Sequence, residues 1–459
     1  MRRLPSLSIR HLFITSVVFF ALAASVFAQQ PFDKTEFVAR REKLFEKIPD
    51  GLAVIFAAKG QFYPVKFRQA PDFYYLTGIE EPGAVLVMSG PTKSTFLFVP
   101  RRSEPQIRAE GPGIWQMQKK EEAYGLTRVQ PIEEFLPMFA FLGGRAKKLY
   151  MLMGSQGNVQ NAREELDFYE SLEMSQSIFG GVTESKKAIS VVQQMVPQLA
   201  LQSLNPFLDE MRWIKTPYEI ELIKRSAQIG AEGVKEAIKG TRPGMYEYEI
   251  EAAARFVYTK RGARGDAFRP IVASGPNTII LHYSANNRRM MDGDIVYMDY
   301  GSDYEYYTSD VTRTWPVSGR FTPEEEKMYR CILEARDTVI AAMMPGVTIN
   351  QLKDVAEGVY KKHGFGKEFQ ALGRYIGHTI GISTHDVDPD RTRPLVAGVV
   401  YNVEPLLEIP EKKIHMRLED TVLIAPGGAI NMTAGAPAGI DEIYALIRQK
   451  ALSVSLPKW

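Results

Sequence analysis

Ile295-Val296-Tyr297-Met298-Asp299, then the turn residues Gly301-Ser302-Asp303, then Tyr306-Tyr307-Thr308-Ser309-Asp310-Val311: this stretch decides how the chain folds. Two apolar, β-rich runs flank a short polar turn, which is the pattern of a hairpin. Each run also carries one aspartate. A hairpin centred near Tyr304 and Glu305 would set Asp299 and Asp310 opposite each other, with Cβ atoms about 4.5–5.5 Å apart. Carboxylates that close repel unless a cation lies between them.

The arrangement recurs downstream. Val399-Val400-Tyr401-Asn402-Val403-Glu404 and Met416-Arg417-Leu418-Glu419 flank Pro410-Glu411-Lys412-Lys413, and the midpoint of Glu404 and Glu419 falls in that turn. An acidic residue inside an apolar run is unfavourable unless neutralised, and four of them point to metal. His378 and His385 bracket Thr379 to Thr384, with Asp386 next. Their spacing puts them on opposite faces of a regular strand, so a bend is required if they share a site. Beside four buried carboxylates, at least one of the two reads as a ligand. Four carboxylates and one imidazole form a hard donor set that suits Mn²⁺, Co²⁺ or Zn²⁺. Two such ions about 3.5–4 Å apart can share an activated water and clamp a substrate carbonyl, which is the chemistry of amide hydrolysis.

A helical pair precedes each hairpin. Thr216-Pro217-Tyr218-Glu219 is a helix start, with Thr as N-cap, Pro at the first position and Glu closing a capping box. Ile220, Ile223, Ala227, Val234 and Ile238 mark one apolar face, and Gly240 stops the helix. A second helix is predicted from about Met245 to Arg261, then β-rich sequence from about Phe268 to Pro316. Thr322-Pro323-Glu324-Glu325 repeats the start signal for a helix to about Met344. Thr348 opens another that Gly364 ends, and strand-like sequence runs from Val399 to Ala425. Two successive helix–helix–sheet units predict an internal duplication whose sheet portions merge at the centre.

Residues from about 33 to 200 alternate β-rich runs (Leu52 to Phe56, Ala84 to Met88, Thr95 to Val99) with helical ones such as Asp33 to Lys47. That reads as an α/β or α+β domain. It holds no cluster of candidate ligands, so only structural work is expected of it.

Composition bounds the rest. At 459 residues, 45% hydrophobic and 24% charged, the chain is a folded protein too long for one core. A net charge of +2 argues against a nucleic-acid partner. Arg2, Arg3 and Arg10 precede a nearly apolar run from Leu12 to Ala28, closed by Val26-Phe27-Ala28. This is read as an export signal cleaved near Ala28, with a retained membrane anchor as the other possibility. The protein is therefore expected to be periplasmic or secreted. Cys331 is the only cysteine, so no intramolecular disulfide forms, and it is assigned no chemistry.

At these residues the sequence resembles the proline-specific branch of the pita-bread metallopeptidases, aminopeptidase P most closely. Phe67-Arg68-Gln69-Ala70-Pro71-Asp72-Phe73-Tyr74-Tyr75-Leu76-Thr77-Gly78 is similar to that family's N-terminal domain signature. Further matches are Ile271-Val272-Ala273-Ser274-Gly275, Leu281-His282-Tyr283, Ser309-Asp310-Val311-Thr312-Arg313-Thr314-Trp315-Pro316, His378, Val403-Glu404-Pro405 and Arg417-Leu418-Glu419-Asp420. With the export signal read over 1–28, the resemblance implies an α/β aminopeptidase P-like N-terminal domain over 29–208 and a C-terminal α+β pita-bread (creatinase/aminopeptidase) domain with internal duplication over 209–459. It further implies that Asp299 binds one metal, His378 the other, and Asp310 and Glu419 both. Glu404 would ligate and act as general acid/base, His282 and His385 would hold the scissile carbonyl and tetrahedral intermediate, and Arg417 would orient the carboxylates. Two divalent ions, Mn²⁺ ahead of Co²⁺ or Zn²⁺, and a homo-oligomer are expected.

The implied function is an exported aminopeptidase acting on peptides with proline at the second position. An Xaa-Pro dipeptidase, or a pita-bread protein without peptidase activity acting as a binding module, are the alternatives. The sequence departs from the family pattern at Arg374, where a histidine is usual, in a glycine-rich approach reduced to Gly373 and Gly377, and at Leu406-Leu407-Glu408 after Glu404-Pro405. Those positions bear on substrate preference.

Overall fold

In the computed structural model, which describes residues 33–451 apart from 61–65, 177–182, 389 and 391, capping chemistry sets the helices close to where the sequence places them. Thr216 and Glu219 close one capping box, with Thr216 N donating to Glu219 Oε2 at 3.0 Å and Glu219 N to Thr216 Oγ1 at 3.3 Å. Thr322 and Glu325 close the second in the same way, at 2.8 and 3.3 Å. The resulting helices are Pro217–Ile238 with Glu247–Lys260, and Pro323–Ala342 with Ile349–His363, packed as two pairs. Their buried stripes, Leu222, Ile223, Ala227 and Val234 in one and Met328, Ile332, Ala335 and Val339 in the other, seat them on the sheets. The stretch read as an export signal lies outside the described residues, and among those described no helix is long and apolar enough to cross a membrane.

The N-terminal half is built on a six-stranded sheet of β1 (Gly51–Phe56), β2 (Val85–Ser89), β3 (Ser94–Val99), β4 (Arg128–Pro131), β5 (Lys148–Met151) and β6 (Ala200–Ser203), in the order β4-β3-β2-β1-β5-β6. The β1–β2 and β2–β3 pairs are antiparallel, and β3–β4, β1–β5 and β5–β6 are parallel.

The first C-terminal unit comprises β7 (Gly265–Asp266), β8 (Ile271–Ser274), β9 (Ile295–Asp299), β10 (Ser302–Tyr304), β11 (Tyr307–Thr308) and β12 (Thr312–Pro316), in two three-stranded sheets ordered β11-β10-β7 and β12-β9-β8. Its register corrects the predicted hairpin. Asp299 pairs with Thr312, and Tyr304 with Tyr307, so the turn is centred on Glu305-Tyr306, one residue later than expected. Asp310 therefore lies diagonal to Asp299 instead of opposite it. Both turn residues have positive φ, 48° and 73°, the conformation of tight hairpin turns that favour Asn and Gly. Contacts from the other half outweigh that preference. Tyr306 stacks on Tyr74 with ring centroids 3.5 Å apart, and its hydroxyl accepts from Gln69 N at 3.0 Å.

The second unit comprises β13 (Gly377–Thr379), β14 (Val400–Val403), β15 (Leu406–Ile409), β16 (Ile414–Arg417), β17 (Asp420–Ala425) and β18 (Gly428–Asn431), in a four-stranded sheet ordered β13-β14-β17-β18 and the β15-β16 pair. Val403 pairs with Asp420 and Leu406 with Arg417, one continuous register that sets Glu404 across from Glu419. The two units meet through an antiparallel bridge between Thr312 and Glu419, with bonds of 3.3 and 3.1 Å. Four acidic residues are thereby gathered at the seam.

Candidate active site

Asp299, Asp310, His378, Glu404, Glu419, Arg417, His282 and His385 all line one cavity of about 270 Å³. Asp299 ends β9, and Asp310 sits in the break before β12. Glu404 follows β14, and Glu419 precedes β17. His378 lies mid-way along the short β13, where Gly377 precedes it with φ 136°; an added Cβ there would collide with the Asn402 carbonyl oxygen.

Two subsets of side chains stand out. Asp310, His378 and Glu419 each offer an atom within 4.8 Å of the others, with His378 Nε2 3.7 Å from Asp310 Oδ2 and 3.6 Å from Glu419 Oε1. His378 Nδ1 lies 2.9 Å from the Thr379 carbonyl oxygen. That oxygen only accepts, so Nδ1 carries the proton and Nε2 turns its lone pair to the carboxylates. In the second subset, Arg417 Nη1 bridges Asp299 Oδ2 at 2.7 Å and Glu404 Oε1 at 3.0 Å. Glu419 is steered from both sides, accepting from Thr312 Oγ1 at 2.8 Å and Asn402 Nδ2 at 3.1 Å.

These carboxylates are short of counter-charge. Burial, then the charge of Glu419, pushes Glu404 up to about 7 against the pull of Arg417. Burial and then Asp299 push Glu419 up to about 8. Asp310 is raised well above the usual range, by burial first and then by Glu419 and Asp299. Asp299 Oδ1 and Asp310 Oδ1 are buried without a hydrogen-bond partner. Orphaned carboxylate oxygens beside an imidazole lone pair form a donor set that fits hard divalent cations.

The two remaining histidines differ in exposure. His282 is exposed at the mouth, just after the Gly275–Ile279 turn of 3₁₀ helix. His385 reaches the pocket through the bend the sequence requires: the chain leaves β13, Gly381 N donates to Ser383 O at 3.0 Å, and the rings of His378 and His385 end with centroids 4.2 Å apart. Of the departures, Arg374 turns away from the pocket to pair with Asp354 and Glu357, whereas Leu406 lines the wall with Phe268, Leu281, Leu372 and Tyr375.

The N-terminal half does more than the structural work expected of it. Its Gln160 lines the pocket, and its Glu165 contacts His385. No local pattern in the sequence marks either residue, because each acts on a partner more than 100 positions away. Asn402 did carry a signal: a lone amide in the apolar run before Glu404.

A duplicated sheet that presents buried carboxylates around an imidazole defines a metallohydrolase of the pita-bread type. The model of metallopeptidase family M24 matches residues 221–426, and that of the aminopeptidase P N-terminal domain matches 37–150. The chain is 31% identical over 454 residues to the Xaa-Pro aminopeptidase of Escherichia coli, covering 90% of this chain and 98% of that one. It is 29% identical over 436 residues to the mitochondrial intermediate cleaving peptidase 55 of Arabidopsis thaliana, covering 90% and 82%. The solved structure of Escherichia coli aminopeptidase P with the inhibitor Pro-Leu is similar with a TM-score of 0.76 at 29% identity, covering 92% of this chain and 99% of that one. The chain belongs to metallopeptidase family M24, in its aminopeptidase P branch.

Proposed function

We propose that this protein is an exported, dinuclear metal-dependent aminopeptidase that cleaves the bond between an N-terminal residue and a following proline. The convergence of Asp299, Asp310, His378, Glu404 and Glu419 in one cavity, with two carboxylate oxygens left unpartnered, carries the reading. Asp299 would hold one ion and His378 the other, with Asp310 and Glu419 shared between them and Glu404 a further ligand of one of the two. When bound, such a pair, Mn²⁺ ahead of Co²⁺ or Zn²⁺, supplies an acidified water and a polarised carbonyl.

The protein groups do the rest. Glu404, in the same cavity and held by Arg417, is placed to accept a proton at its carboxylate and return it to the leaving proline nitrogen. His282 and His385 face the same cavity and stabilise charge developing on the scissile carbonyl oxygen. Arg417 keeps Asp299 and Glu404 in place. Proline fixes its own φ and has no amide hydrogen. An apolar wall of Phe268, Leu281, Leu372, Tyr375 and Leu406 suits its ring.

A second cleft of about 500 Å³ shares Tyr375, His378 and His385 with the first, giving room for chain beyond a dipeptide. This favours the aminopeptidase over the dipeptidase reading. Export rests on residues 1–28 alone, and a homo-oligomer is part of the same reading. The test is release of the first residue from an Xaa-Pro-Yaa series by Mn²⁺-loaded protein. Turnover should exceed that of Xaa-Pro dipeptides and fall at least about 100-fold in Glu404→Gln. Preference for the dipeptide would make the protein a dipeptidase, and no cleavage of either would mean that it is not a peptidase.

A further inference from the structure

Glu165 lies in the first turn of the Arg163–Gln176 helix, in the N-terminal half, and its Oε2 is 2.8 Å from His385 Nδ1. A carboxylate at that distance accepts, so the proton sits on Nδ1 and Nε2 is the ring atom left for the pocket. The backbone on either side is tied to the same segment. His385 N donates to Gln160 O at 2.7 Å, Ala162 N donates to His385 O at 2.8 Å, and Thr384 N donates to Val159 O at 2.9 Å. Charge pins the flanks as well: Arg163 pairs with Asp72 and Asp209, and Arg212 joins Asp72 to Asp386, the residue after His385. Residues 158–165 and 384–386 thus form one rigid unit even without the Glu165 carboxylate. That carboxylate is about one-third exposed, at 32%, so it adds little burial. What it adds is direction to the imidazole.

We propose that Glu165 is a positioning residue that fixes the rotamer and tautomer of His385, so that the N-terminal half completes the reaction pocket. The kinetic part rests on the peptidase reading above; the tautomer does not. Among the described residues of the N-terminal half, the neighbouring Glu164 also borders the second cleft, but it has no bond to either pocket histidine.

The test uses the full-length chain carrying Glu165→Leu or Glu165→Gln. Outer partners of functional histidines typically contribute about 10–100-fold, and Glu165→Leu should lower kcat by that factor while KM changes little. Glu165→Gln, whose amide oxygen still accepts from Nδ1, should recover most of the loss. Both variants should keep the wild-type thermal midpoint. A second readout is independent of turnover. The chain has only six histidines, so ¹⁵N-histidine-labelled, Zn²⁺-loaded protein, assigned with His385→Gln, reports the tautomer directly. Nδ1 of His385 should resonate as a protonated nitrogen in wild type and Glu165→Gln, and move toward the average of the two tautomers in Glu165→Leu. Wild-type kcat in Glu165→Leu, or equal losses in the two variants, overturns the proposal. Should the wild-type chain cleave no peptide, the peptidase reading fails separately, and an unmoved Nδ1 signal in Glu165→Leu still overturns the positioning role.

Discussion

Arg417 sets its guanidinium between two of the four buried acids, pairing with both Asp299 and Glu404. Arg417→Leu should lower kcat/KM about 10–100-fold, and metal titration of the variant should show weaker binding; unchanged values in both would remove the orienting role. His415 behaves differently. It is fully buried, with Nδ1 3.1 Å from Glu408 and Nε2 unpartnered, and burial holds its pKa below the ordinary 6.5 although Glu408 pulls the other way. The unfolded chain takes up that proton first. Stability is therefore intact above about pH 6.5 and is lost as pH falls below it. Thermal midpoints from about pH 7 to 5 should fall less steeply in His415→Gln, and parallel curves would contradict this. The four acidic residues that line the cavity were legible because a carboxylate inside an apolar run is unfavourable without a counter-charge to meet it. His415 was not, since a lone histidine in such a run carries no mark of its partner.

At the scale of elements, helix starts were readable from local chemistry: Thr216, Thr322 and Thr348 each cap as the sequence predicts. So was the second hairpin, whose register follows from a turn at Pro410 to Lys413. The first was misplaced by one residue, because Glu305-Tyr306 owes its conformation to Tyr74 and Gln69 more than 200 positions earlier. The glycine before His378 is a sensitive point in this layer. Gly377→Ala would drive a Cβ into the Asn402 carbonyl oxygen from a positive φ. Strain of that kind amounts to about 1–3 kcal/mol. We expect a matching loss in denaturant unfolding and weaker metal binding at His378, whereas wild-type values in both would show that β13 shifts freely.

At the scale of the whole molecule, the two halves share a buried ionic cluster of Asp72, Arg163, Asp209, Arg212, Asp386 and Lys215. Burial alone would raise Asp72, but Arg163 and Arg212 outweigh it and hold the carboxyl below its usual value. Removing one member strands buried charge, so Arg212→Leu should lose about 3–5 kcal/mol in equilibrium unfolding; a loss near zero would mean that the cluster relaxes to solvent. Arg68 adds a second clasp, reaching Asp303 at 2.9 Å and the Ile382 carbonyl oxygen at 2.9 Å. The run from Phe67 to Gly78 was legible as a family signature, but its work across the halves was not, because its partners are distant in the chain. The central claim is that this seam is a metal-dependent peptidase site, and titrating metal-free protein with Mn²⁺ while following release of the first residue from an Xaa-Pro-Yaa peptide tests it most directly. No turnover without metal, rising to a plateau as about two ions bind per chain, is the predicted result; turnover that persists in chelator and ignores added metal would contradict it.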